Sequence, residues 1–460
     1  MECVIDETGG AISHPISHIT HPLVAYFFRR MVATLLWVAL VAEPGVGWAL
    51  LGDTEGGFGL DGRLSTLGAL QGNYDFQPFF GNDSTDGLSQ TLLRFIAAGR
   101  PTDQLSYEVQ AVQSFNYSSA GGDAESPLFA VSAQDTRYRA VDLTWDWHTD
   151  DHSSAILWLD RANVKMALSN ADLTAGRQPI TFGKAYFWNP LDVFLPFDPL
   201  QFDRDYKPGV DAARLDVSWG PFSGLNLIAV AGREVDAYGR FLDNGSFLDT
   251  SWYGSAMLAH AFTTYAGWDL ALQGGKIYGG YQLGGGLVGE IGPVETRVEA
   301  AYFWAQSGSE PLAGPPAGDL IEDNFTAVVG IGHRFDNTLT LQLEYFYNGA
   351  GDSHDLNPSF VRFITGNILQ MSSNLTGFLI SYEFLPILLG QLIWLQSWDD
   401  SSSGIQPIIS WSATDNIDLL IGANINLGER PTEAPAMTPK IRSEFGTFPN
   451  LYFFQFKWHF

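Results

Sequence analysis

From about residue 57 onward, apolar and polar residues change places at every second position, in segments of roughly nine to thirteen residues separated by turn-forming clusters. Thr338 to Tyr347 is the cleanest case. Leu339, Leu341, Leu343, Tyr345 and Tyr347 fall on one face, and Thr338, Thr340, Gln342 and Glu344 on the other. Ile417 to Leu427 repeats the pattern, with Ile417, Leu419, Ile421, Ala423, Ile425 and Leu427 opposite Asp418, Asn424 and Asn426. Val294 to Trp304 sets Val294, Thr296, Val298, Ala300, Tyr302 and Trp304 against Glu295, Arg297 and Glu299. A period of two is the signature of a β-strand with one apolar and one wet face.

Strands of a soluble sandwich are shorter, about 5–6 residues. Segments of ten or more with Tyr or Trp near their ends fit a membrane-spanning barrel with aromatic girdles. The connections alternate in length as well: short turns such as Gly220 to Gly224, Asp336-Asn337 and Asp415-Asn416 trade places with long polar stretches. Strands are therefore expected near 88–98, 105–116, 138–148, 155–166, 172–181, 209–219, 223–232, 252–262 and 264–273. The second half adds 281–290, 293–304, 324–334, 338–347, 374–384, 386–397, 405–414, 416–427 and 450–460. The predicted fold class is all-β, a transmembrane antiparallel β-barrel of 18 strands, within a range of 16–20. A nineteenth candidate, Phe58 to Leu70, breaks the even parity of such barrels: either it stands outside the barrel, or a further short strand such as Pro127 to Ala133 completes the count, so residues 50–87 are left as an N-terminal segment of unassigned structure before the barrel at 88–460.

Composition agrees. Gly is abundant at 49 residues and aromatics make up 14%, while mean hydropathy is close to zero, which does not suit helices that need ~20 consecutive apolar residues. A net charge of −27 argues against nucleic acid as a partner. Arg29 and Arg30 precede the apolar run Met31 to Ala42, and Gly47-Trp48-Ala49 supplies small residues for cleavage, so 1–49 is read as an export leader that is removed. The single Cys, Cys3, lies within it.

One stretch keeps neither period. Between Phe182 and Tyr206 lie Phe182, Tyr186, Phe187, Trp188, Phe194, Phe197, Phe202 and Tyr206, together with Asp192, Asp198, Asp203, Asp205, Lys184 and Arg204; Lys207 follows. A long irregular segment this aromatic is expected to be functional rather than disordered. Residues 182–208 are therefore the candidate constriction loop. Strand parity puts Arg161, Asn163 and Lys165, and Arg214 with Asp216, on the lumen side. Residues 161–240 hold nine of the 24 Lys and Arg, so Arg161, Lys165, Arg177 and Arg214 are expected to form a basic ladder facing the acids of the loop. Such a juxtaposition sorts solutes by charge and size. Arg161, Arg177, Asp203 and Arg204 are equally readable as a neutralising packing network. Tyr186, Phe187, Trp188, Phe194 and Phe197 are either a staple against the wall or a stacking surface for a sugar or aromatic solute.

The final segment, NLYFFQFKWHF, places Tyr452, Phe454, Phe456, Trp458 and Phe460 on one face. It resembles the C-terminal strand of bacterial outer-membrane β-barrel proteins, which the barrel-assembly machinery recognises. The resemblance implies residence in a Gram-negative outer membrane, contact with its lipids and lipopolysaccharide, and passage of small solutes. It also implies either a monomer or a homo-oligomer. Gly176-Arg177-Gln178 before an aromatic loop is similar to the alginate-export barrels, a likeness of three residues that carries no substrate with it.

Catalysis is not expected. His260, His333, His354 and His459 are scattered, with no nucleophile beside them. Asp146, His148, Asp150, Asp151 and His152 form a local acidic cluster that reads as a solvated turn, so no metal site and no cofactor are assigned. Gly284 to Gly286 is no phosphate loop, because no helix follows it; there Gly relieves crowding. The reading is a porin for small hydrophilic solutes, with an apolar-solute channel and a non-conducting scaffold or adhesin as alternatives.

Overall fold

Period-two alternation becomes long strands in one sheet. The computed structural model describes residues 51–53, 57–74, 85–119, 137–233, 250–306, 322–364, 366–432 and 440–460; the leader at 1–49 and the short candidate Pro127 to Ala133 lie outside them. The strands run β1 (Leu51–Asp53), β2 (Phe58–Gly72), β3 (Thr85–Thr102), β4 (Leu105–Ser118), β5 (Thr144–Thr149), β6 (Ser153–Ala167) and β7 (Ala171–Gln178). They continue with β8 (Val210–Gly220), β9 (Ser223–Val230), β10 (Ala256–Tyr265), β11 (Trp268–Ile277), β12 (Gly280–Ile291), β13 (Val294–Ala305) and β14 (Asn324–Arg334). Last come β15 (Thr340–Asn348), helix α1 (Asn357–Ile364), β16 (Asn374–Leu385), β17 (Leu388–Ser397), β18 (Ser403–Thr414), β19 (Ile417–Leu427) and β20 (Asn450–His459).

β2 pairs with β3, β3 with β4 and β4 with β6. From β6 each strand pairs with its successor up to β20, which returns antiparallel to β2 through Arg63↔His459 to Gly72↔Asn450. The ring holds 18 strands, the number expected, but with one change of membership. Phe58–Gly72 belongs to the ring, and the segment near 138–148 does not. The reason lies in β7, whose last pair with β6 is Arg177↔Ala162, so the edge of β6 from Ser153 to Asp160 has no ring neighbour. A bare edge leaves backbone groups unpaired. β5 covers it, pairing Thr144 to Thr149 with Trp158 to Ser154. It reads as a strand because it is one, on an edge outside the ring. β1 likewise covers only Phe58 to Leu60 of β2.

Exposure is inverted relative to a soluble protein. Along β15, Leu343, Tyr345 and Tyr347 are 42%, 44% and 41% exposed, while Glu344 is fully buried. On β12, Tyr281 and Leu283 are exposed and Gln282 is buried; on β14, Val329 and Ile331 face out. An apolar outer belt around a polar interior is the arrangement that lipid demands. At one end the ring strands are joined by turns of two to five residues, such as Gly292-Pro293 between β12 and β13; the long connections are at the other end.

Candidate functional site

Residues 179–209 leave β7 at the long-loop end and return to β8. In between they touch strands all round the ring, which requires the segment to lie inside the lumen. Phe182 stacks on His260 of β10, with ring centres 4.2 Å apart. The wall amides of Gln273 (β11) and Gln282 (β12) donate to the carbonyls of Leu191 and Pro190, at 2.9 and 3.1 Å. Glu299 of β13 accepts the Lys184 N–H, and Glu344 of β15 accepts those of Tyr186 and Phe187 at 2.5 and 2.8 Å. Gln406 of β18 donates to the Leu200 carbonyl at 2.6 Å, and Phe202 stacks on Phe453 of β20 at 4.3 Å. Finally Tyr206 lies under Arg94 of β3, 4.1 Å from ring centre to guanidinium carbon.

The wall is shaped to receive this segment. A Cβ on Gly377 would lie 2.5 Å from the Phe187 ring, and one on Gly284 would lie 2.7 Å from Leu191. These glycines give up a side chain so that a loop residue can sit against the strand backbone. Phe187 and Trp188 are 2% exposed and Phe194 is fully buried, so these aromatics hold the loop to the wall. Trp188 stacks on Phe346 of β15 with planes 9° apart. Tyr186, edge-on to Phe187, and Phe197 are half-buried. The loop is also tied to itself: Lys207 and Asp192, both buried, pair at 2.5 Å, and Thr181 donates to Asp192 at 3.0 Å. Arg204 donates to the carbonyls of Tyr186, Asp198, Pro199 and Gln201, while Asp198 accepts the Leu200 N–H at 2.7 Å.

The charged lining concentrates where the loop returns. Asp203 and Asp205 sit 3.0 and 2.8 Å from Arg63 of β2, and 3.2 and 2.7 Å from Lys457 of β20. Gln455 adds a bond to Asp203 at 2.8 Å. Arg94 pairs with Asp160 at 2.7 Å and Arg161 with Glu108 at 3.1 Å. The guanidiniums of Arg63, Arg94 and Arg161 all lie within 6 Å of the Tyr206 ring, at 5.0, 4.1 and 5.8 Å. Arginine on an aromatic face is favourable, and more so when water is excluded.

The expected ladder is thus rearranged. Arg161 faces the lumen, and Arg214 does too, paired with Asp216 at 2.7 Å and 6.0 Å from the Phe182 ring. Lys165 pairs with Asp172 at 2.7 Å, away from the loop. Arg177 is the exception. Its register partners are Ala162 and Asp211, on the outer side, and it binds Asp211 at 2.7 Å and the Leu159 carbonyl at 3.0 Å. Asp211 in turn accepts the N–H groups of Ala140 and Val141, at 2.8 and 3.0 Å. Arg177 therefore pins the segment that precedes β5 and takes no part in the lumen lining. Arg63, Arg94, Lys457, Glu299 and Glu344 do take part and were absent from the expected set. Each is a charge at an inward position of an alternating strand, which is the signal that would have found them.

Among the described residues no group of three His, Cys, Asp or Glu side chains is placed to hold a metal ion. In the acidic turn, His148 lies 3.3 Å from Asp150, whose carboxylate accepts the N–H groups of His152 and Ser153.

No known family profile matches the chain, and no curated protein matches it. Solved structures do. OccK8 (OprE) of Pseudomonas aeruginosa superposes with a TM-score of 0.51 at 10% identity, covering 87% of this chain and 98% of its own. A BenF-like porin from Pseudomonas fluorescens Pf-5 gives 0.50 at 10% identity, covering 89% and 100%. The fold is that of the eighteen-stranded outer-membrane porins. At this identity the likeness extends to the barrel architecture alone, while the lining described above rests on this chain's own residues.

Proposed function

We propose that the chain is an outer-membrane channel through which small hydrophilic solutes diffuse, with residues 182–208 as its constriction. The observation that carries this reading is the inward loop, whose backbone is hydrogen-bonded to wall side chains of β11, β12, β13, β15 and β18. Beside it, Arg63, Arg94, Arg161 and Lys457 face Asp203, Asp205, Asp160 and Glu108. Such a mixed lining orders water and discriminates by charge at close quarters. An apolar path is less well supported, because Phe187, Trp188 and Phe194 are buried in packing and offer no free face. Planar-bilayer recording tests the reading. The wild-type protein is expected to give stable open-channel steps, and deletion of 187–203 a larger unit conductance. Silence in the bilayer overturns the channel; an unchanged conductance after deletion overturns the constriction.

A further inference from the structure

Above the β15–β20 side of the lumen, two connections pack together. Residues 349–373, which include α1, contribute Leu356, Phe360 and Met371 to a small apolar cluster, and residues 440–449 contribute Ile441 and Phe448. Beneath that cluster lies a carboxyl with an unusual setting. Glu444 is 1% exposed and accepts the Ser372 N–H at 2.6 Å. Its own N–H donates to Asp400 Oδ2 at 2.6 Å, and the Ser372 hydroxyl donates to the same oxygen at 3.4 Å. Two carboxyl groups thus share one serine, with no cation paired to either among the described residues. Asp399 is occupied by the N–H groups of Ser373 and Asn374. The nearby bases are engaged elsewhere: Arg362 with Asp352, Arg442 with Glu429, and Arg430 with the carbonyls of Gly446 and Phe448.

The neighbouring residue links this pair to the loop. Phe445 is buried in the same apolar core as Phe187, Trp188 and Leu200. Both Phe445 and Leu200 rest on Gly404, where a Cβ would meet them at 2.8 and 3.4 Å. Its N–H is held by Ser402 at 3.1 Å, and Ser402 also donates its N–H to Asp400 at 2.8 Å.

We propose that residues 440–449 form a proton-sensitive lid, docked while the buried Glu444 carboxyl is protonated and released when it ionises beside Asp400. Release withdraws Phe445 from the core that anchors the inward loop. A buried carboxylate without a cation is costly, whereas the protonated acid is satisfied by neutral partners. Burial, chiefly, with the Asp400 charge as a lesser cause, raises Glu444 from 4.5 to about 8, against the pull of the Ser372 N–H. The docked lid therefore keeps a proton that the released lid gives up. Docking weakens as pH rises from about 4.5 and is weakest above about 8. Between about pH 6 and about pH 9 the docking constant is expected to fall on the order of a hundredfold.

The test compares the folded wild-type protein with Glu444→Gln by proteinase K cleavage in the lid, at matched pH so that the protease's own pH response cancels. The wild-type-to-variant ratio of rates should rise on the order of a hundredfold between about pH 6 and about pH 9. A ratio that does not change with pH overturns the proposal. Should Glu444→Gln fail to fold, Asp400→Asn replaces it: loss of the neighbouring charge eases ionisation, so the wild-type transition should move to lower pH, and an unmoved transition is the refuting result. This readout does not depend on conduction. A lid that responds in a protein silent in bilayers would leave the proposal standing and remove the channel; a conducting protein with a pH-indifferent lid would do the reverse.

Discussion

Gly377 and Gly284 bring loop side chains against the strand backbone, and the space each leaves is already filled. Gly377→Ala is expected to displace the Phe187 ring and to destabilise the barrel by about 1–3 kcal/mol, the usual cost of overpacking. A lower midpoint for thermal loss of the folded, heat-modifiable band would register it; an unchanged midpoint would mean that the ring moves aside freely. Arg63 is different, because it acts through charge. With Asp203 and Asp205 left to Lys457 alone, Arg63→Ala should shift ion selectivity toward cations, seen as a moved reversal potential in a salt gradient. At this scale the sequence was only partly legible. Parity turns Arg161 and Arg214 inward, since a charge facing lipid is costly. Parity also assigns Arg177 to a face, but its partners Asp211 and the Val141 and Leu159 carbonyls come from three separate segments. No local pattern announces that meeting, and it is what makes an outward arginine tolerable.

The inward loop is positioned by side chains of the wall more than by its own backbone pairing. Glu344 is the strongest example, because one buried carboxylate holds two successive loop N–H groups. Glu344→Ala would leave both without a partner, at about 1–3 kcal/mol for each buried group. The expected outcome is a looser loop, read as increased open-channel current noise with no loss of folded yield; quiet traces would argue that aromatic packing alone suffices. The existence and limits of this element were legible because 182–208 is a break in periodicity, rich in aromatics and turn residues. Its direction was not, because contacts such as Leu200 with Gln406 join residues about two hundred positions apart. The misplaced strand near 138–148 and the unassigned segment at 58–72 have one physical origin. A strand on a spare edge alternates as well as a ring strand does, so 144–149 and 58–72 cannot be ranked by pattern; only the early departure of β7 distinguishes them.

For the whole molecule the decisive constraint is closure. The strand count could be read from sequence because each strand must cross lipid and therefore announces itself in length and alternation. The seam between β2 and β20 could not, since it joins the two ends of the barrel sequence. Phe460 lies at that seam: its backbone exchanges hydrogen bonds with Gly62 at 2.6 and 2.9 Å, and its ring fills the space beside the glycine. Removing Phe460 is expected to lower the fraction that reaches the heat-modifiable form during refolding in detergent, while leaving the secondary structure of the folded fraction unchanged by circular dichroism. An equal folded fraction would mean that the remaining seam pairs suffice.

The pair Asp203 and Asp205 has one more consequence. Arg63 belongs to the first strand of the ring, and Lys457 and Gln455 to the last; the same two carboxylates hold both. A loop born in the middle of the chain thus works as a clasp fastened from within, gripping the two margins of the sheet along the line where they meet. Seating the loop and closing that line therefore reinforce each other, because the same two carboxylates serve both.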